Sequence, residues 1–96
     1  MARLSENIRR AVREERYIIG RHANERIRLR RIAVWQILSG LDEGIVLGER
    51  PDAEPNPAIE VEQRLADGIR VKVIWSWLAD DRTAKLVTVH FFDGEL

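Results

Sequence analysis

His22, Arg26 and Arg30 recur at every fourth position, a spacing that places all three on one side of an α-helix, with Arg21 and Glu25 flanking them. The only other histidine, His90, lies near the C-terminus in an alternating stretch, on the same face as Thr88. Cleavage of a phosphodiester without a metal needs a base for the 2′-hydroxyl proton, an acid for the leaving oxygen and cations for the charge on phosphorus. Two histidines and two arginines are the right types for that work. The expected catalytic set is therefore His22, Arg26 and Arg30, with His90 as proton donor. Arg21, Arg28, Arg31 and Lys72 are the expected RNA-binding cations.

Structural readings of the same residues stand beside this one. A histidine that opens a helix often serves as a hydrogen-bonding group, and Arg26 can lock helix to sheet by pairing with a carboxylate. His90 can equally be a surface or partner contact. Trp35, Trp75 and Trp77 read as core or interface residues whose indole N–H groups need partners, which predicts a partly exposed edge. No glycine-rich phosphate loop, nucleophile elbow or metal-spaced His/Asp/Glu cluster occurs, and His22-x-x-Glu25 alone is too weak for a metal site. No cofactor is expected.

The elements that must position these residues change period midway along the chain. Leu4, Ile8, Ala11 and Val12 predict a helix over 4–16, with Ser5 able to cap it. Tyr17-Ile18-Ile19 reads as the end of that helix or as a brief strand, closed by Gly20. A second helix is expected over 21–31. A third carries Val34, Ile37, Leu38 and Leu41, with Gly40 as its C′ residue.

Beyond it, 44–48 reads as a first strand and 49–58 as a loop holding all three prolines. Strands are then expected over 59–65, 69–78 and 84–92. A tight two-residue Asp67-Gly68 turn would mix the faces of the first pair. A three-residue loop with Gly68 in the left-handed conformation instead pairs Val61 with Val73 and Glu62 with Lys72. If a five-residue turn joins the last two strands, His90 falls beside Lys72 and Thr88 beside Ile74. These two strands are apolar on both faces at their centres and should be interior. Helices followed by strands predict an α+β fold, two to three N-terminal helices on a four-stranded, mainly antiparallel sheet.

The 96 residues suffice for one domain, 1–96, with a single modest core. The chain contains no cysteine, which excludes disulfides, thiol nucleophiles and thiolate metal sites. Without a signal-like or spanning segment, it reads as a cytoplasmic, bacterial or phage-type protein with no membrane association. Its net charge of zero hides an asymmetry. Residues 1–31 hold ten arginines and four glutamates, an excess of six positive charges. Residues 32–96 hold six basic and twelve acidic side chains, the opposite excess. The expected picture is a basic helical third on an acidic sheet, with the arginines facing nucleic acid, an acidic partner or simply solvent.

At His22-Ala23-x-x-Arg26-x-x-x-Arg30-x-Ile32 the chain resembles the domain of unknown function 4258 family of bacteria. That family opens with such a helix, followed by a short helix ending in glycine (here Gly40) and a proline-containing loop. It then has a strand meeting a turn before Asp-Gly (Asp67-Gly68) and a closing strand (here Thr88-Val89-His90). The resemblance covers about 17–92 and leaves 1–16 as an N-terminal helical extension. It implies a RelE/ParE-like fold, a metal-independent mRNA-cleaving toxin and a protein partner such as an antitoxin, and it is compatible with a homodimer. The alternative is a non-enzymatic protein-binding module: a ParE-like inhibitor, a phage regulator or an immunity-type partner. Three positions depart from the family pattern: Arg31 where glycine is usual, Ala33 where a Ser/Thr helix cap is usual, and His90 where a tyrosine is usual.

Overall fold

A computed structural model describes residues 3–92. In chain order the elements are α1 (Leu4–Arg13), β1 (Tyr17–Ile19), α2 (Arg21–Leu29), α3 (Val34–Gly40), β2 (Ile45–Arg50), β3 (Ala58–Arg64), β4 (Arg70–Leu78) and β5 (Thr83–Phe91). The strands form one five-stranded sheet of order β1-β5-β4-β3-β2. The fold is therefore α+β as expected, but with five strands rather than four. The fifth is Tyr17–Ile19, which pairs parallel with Ala84–Leu86. Three residues are too short to display a period, so only the pairing partner identifies them as a strand.

Alternation along the strands produces one buried and one open face. Val71, Val73 and Trp75 of β4 are buried under the helices, while Lys72 and Ile74 between them point to the other side. α1 packs across β5, β4, β3 and β2, supplying Ile8, Ala11 and Val12 to the core. It is thus an integral layer of the core. Its first turn is closed by Glu6, which accepts the Arg3 N–H at 2.7 Å. Ser5 lies inside the helix, where its N–H donates to Glu49 of β2, and it is not the cap.

Both basic helices end in the same motif. Arg31 takes a left-handed φ of 56°, with the Arg31 N–H bonded to Arg28 O and the Ile32 N–H to Ile27 O. Glu15 does likewise at φ 62°, with bonds from Glu15 to Val12 and from Arg16 to Ala11. These are Schellman closures that normally carry glycine. They end α1 at Arg13 rather than at 16 and α2 at Leu29 rather than at 31. Gly40 is itself helical, and Leu41 continues in right-handed geometry, so Gly40 is not a C′ residue.

The β3–β4 hairpin has the bulged register expected, with Val61 opposite Val73, Glu62 opposite Lys72, and Gly68 at φ 88°. Lys72 also faces His90, and Ile74 faces Thr88. That second register arises differently from the expectation. Leu78 faces Thr83 across a four-residue turn, and one extra residue, Val87, enters β5 between the pairs Trp75–Leu86 and Ile74–Thr88.

Trp75 is fully buried rather than at an exposed edge, because Gln63, also buried, supplies its partner. The indole Nε1 donates to Gln63 Oε1 at 3.2 Å, and Gln63 Nε2 donates to Ile37 O at 2.8 Å, tying α3 to the sheet. The acidic sheet is also corrected. Among the described residues the strands carry Arg50, Arg64, Arg70, Lys72 and Lys85 against Glu49, Glu60 and Glu62, while the remaining carboxylates of the second half lie in turns and loops. Turn chemistry, which favours Asp, concentrates them there. No described helix is long and apolar enough to cross a membrane.

Candidate functional site

The placement of α2 starts at Gly20. Its N–H donates to Leu86 O at 2.8 Å, and a Cβ there would sit 2.9 Å from that same carbonyl, so the bare Cα permits the close approach. β1 covers the outer edge of β5 only as far as Leu86, and α2 continues along that edge. Ala23 and Ile27 point into the core. Arg26, half-buried, donates from Nε to Val89 O at 3.3 Å, supplying a donor to the main chain that a longer β1 would have met. The Arg30 guanidinium lies 4.8 Å from the centre of the Phe91 ring, a cation–π contact. His22 is exposed on the first turn, and Arg21, Arg28 and Arg31 are exposed as well. Two members of the expected stripe thus hold helix to strand, through a backbone carbonyl and an aromatic ring.

His90 is elsewhere. It is exposed on the open face of the sheet, directly across from Lys72, while its neighbours Val89 and Phe91 turn toward the helical side. The structure therefore puts His22 and His90 on different sides of β5, His22 on the edge helix and His90 on the open face. Strand alternation turns residue 90 away from the layer that holds α2.

A different group assembles on the open face. The register aligns Glu62, Lys72 and His90 across three adjacent strands in one row. Neighbouring side chains in such a row have Cβ atoms roughly 5 Å apart, so Lys72 stands between a carboxylate and an imidazole about 10 Å from each other. The next row brings Glu60, Ile74 and Thr88 together. Glu60 accepts from Arg50 at 2.5 Å and faces Lys72 at 3.9 Å; Glu62 accepts from Arg70 at 3.2 Å. A carboxylate able to take a proton, a cation and an imidazole able to give one are the types required for general acid–base work on a charged ester. Glu62 was not among the expected site residues, although the sequence already paired it with Lys72. Its signal was the pair of registers Glu62–Lys72 and Lys72–His90, which share a residue.

A second feature lies between α1 and α3. Val12, Tyr17, Trp35 and Leu38 line a groove of about 530 Å³ with Arg9 and Arg13 at its sides. Trp35 is 62% exposed there. Arg13 pairs with Asp42 at 2.8 Å, and Arg9 donates to Gly44 O at 2.9 Å. Among the described residues no three His, Asp or Glu side chains gather where they could hold a metal ion.

Comparison with known proteins gives one match. No curated protein and no solved structure matches the chain. The family model described as Domain of unknown function (DUF4258) matches residues 19–91, from the last residue of β1 through all of β5. The match takes in α2 and the whole Glu62–Lys72–His90 row, and it leaves out α1. With most of its length covered, the chain belongs to the DUF4258 family.

Proposed function

We propose that this protein is the toxin of a toxin–antitoxin system, a metal-independent endoribonuclease of RelE/ParE-like type that works on the open face of its sheet. The observation that carries this reading is the row Glu62–Lys72–His90 on the open face of the sheet, with His90 exposed and the other two half-buried. Glu62 takes the proton of the 2′-hydroxyl, Lys72 stabilises the charge growing on the phosphoryl oxygens, and His90 protonates the departing 5′-oxygen. This assignment keeps His90 and Lys72 from the expectation and moves the base from His22 to Glu62. The edge helix, with His22, Arg21, Arg28, Arg30 and Arg31, contributes phosphate contacts where the RNA leaves β5.

The test is cleavage of an RNA oligonucleotide by the purified chain in EDTA, followed by end-group analysis. The expected products carry 2′,3′-cyclic phosphate and 5′-hydroxyl ends. His90→Ala should slow cleavage by about 100-fold or more, the usual contribution of a general acid, while His22→Ala changes it only a few-fold. If His90→Ala and Lys72→Ala cleave at the parent rate, the row is not the site.

The exposed Trp35 in the α1–α3 groove favours a second reading, a non-enzymatic module that binds a protein partner. Aromatic and Arg side chains dominate binding at such surfaces. A chain with this role would retain a specific protein partner through Trp35 and show no salt-sensitive RNA binding.

A further inference from the structure

The loop 51–57, which contains all three prolines, folds back over the open face instead of standing clear of it. The Trp77 N–H donates to Pro57 O at 2.9 Å and the Ala53 N–H to Arg50 O at 3.2 Å, pinning both ends. Beneath it Ala58 and Ser76 are buried, although the register places them on the open side of the sheet. Between loop and sheet remains a cavity of about 280 Å³. Pro55, Ile74 and Val87 give it apolar walls, and Asn56, Glu60 and Lys85 line it with polar groups.

This cavity adjoins the row of Glu62, Lys72 and His90. Ile74 lies two residues from Lys72 along β4, a distance of roughly 7 Å. Glu60 belongs to both places, since it lines the cavity and faces Lys72 at 3.9 Å. Lys85 has no ion-pair partner among the described residues, and its Cε lies 3.0 Å from where a Cβ on Gly20 would be, at the start of α2. The space is smaller than the roughly 300–1,000 Å³ typical of drug-sized ligands, so it suits one flat heterocycle with its sugar.

We infer that the cavity is a nucleoside subsite, taking one base of the RNA against Pro55, Ile74 and Val87, and that Glu60 selects bases presenting an amino donor. The inference rests on the ribonuclease reading for its choice of RNA. Apolar walls suit the faces of a base, and a carboxylate at the rim accepts hydrogen bonds from the amino groups of guanine, adenine or cytosine. Uracil has no amino group to offer. Lys85 and Lys72 lie to either side of Ile74 along the open face, placed for the flanking phosphates.

The experiment is an NMR titration of the full chain with GMP, AMP, CMP and UMP, followed at the backbone amides. Saturable shifts at Ile74, Ser76, Lys85 and Val87 are expected, with UMP the weakest ligand by at least several-fold. Ala53→Phe, which fills the space from the loop, should weaken binding at least tenfold. Glu60→Gln should bring UMP level with the others. An absence of saturable shifts at millimolar nucleotide, shifts confined to α2, or equal binding of UMP by the parent overturns the inference. Shifts at these amides in a chain that cleaves no RNA uphold the subsite and sink the ribonuclease reading. Cleavage without them does the reverse.

Discussion

Arg31→Gly should make the protein more stable, and the reasoning can be refuted. Arg31 occupies the left-handed position at φ 56° that closes α2. Its N–H and that of Ile32 are both used, bonding to Arg28 O and Ile27 O, so the turn cannot relax to right-handed geometry without releasing both bonds. Holding a residue with a Cβ there costs about 1–2 kcal/mol. Glycine removes that strain but loses about 0.5–1 kcal/mol more conformational entropy on folding. The difference spans about 0–1.5 kcal/mol and centres on a net gain of about 0.75 kcal/mol, a rise in Tm of about 3–6 °C for a domain of this size. Ile27 and Ile32 remain in the core, so packing is unchanged. Urea and thermal unfolding, followed through the fluorescence of the buried Trp75, measure the effect. Arg31→Ala is the necessary control, since it removes the same charge and keeps the Cβ. It should lie within about 0.5 kcal/mol of the parent. If Arg31→Gly is no more stable than the parent, or if Arg31→Ala gains as much, the strain account is wrong and charge is the cause.

Gln63→Met should be among the costlier single changes, at about 2–4 kcal/mol, because it leaves both the Trp75 indole N–H and the Ile37 carbonyl without their buried partner. A loss under about 1 kcal/mol in urea unfolding would mean that the two groups find other partners. Hydrogen bonding from Arg16 holds the Glu14 carboxyl below its ordinary range. Because the folded-state pKa is depressed, any stabilisation from this group is present above the unfolded carboxyl pKa and lost as pH falls through the folded one. In an NMR titration Arg16→Gln should return the Glu14 midpoint upward, and an unmoved midpoint would rule out Arg16 as the cause.

Periodicity determined much of this molecule before any coordinates. The apolar spacing in α1 and α2, the proline-bound loop and the face-matching argument for the Asp67-Gly68 hairpin are local properties, and each residue pattern admits few arrangements. The stripe His22-Arg26-Arg30 was legible for the same reason, whereas the pairing of His90 with Lys72 was expected through a five-residue turn and is reached through a four-residue turn and the extra residue Val87. What local pattern cannot carry is which layer a surface ends up facing. Tyr17–Ile19 becomes a strand only because β5 offers it an edge. Arg26 and Arg30 become ties to β5 only because α2 runs along that edge. Whether His22 and His90 converge was open in the sequence, and the fold places one on an edge helix and the other on the open face of the sheet. Glu62, Lys72 and His90 belong to three strands, and their row exists only once two hairpin registers are imposed together. The chemistry-bearing residue types were therefore visible in the sequence, while their partnership was a product of the sheet.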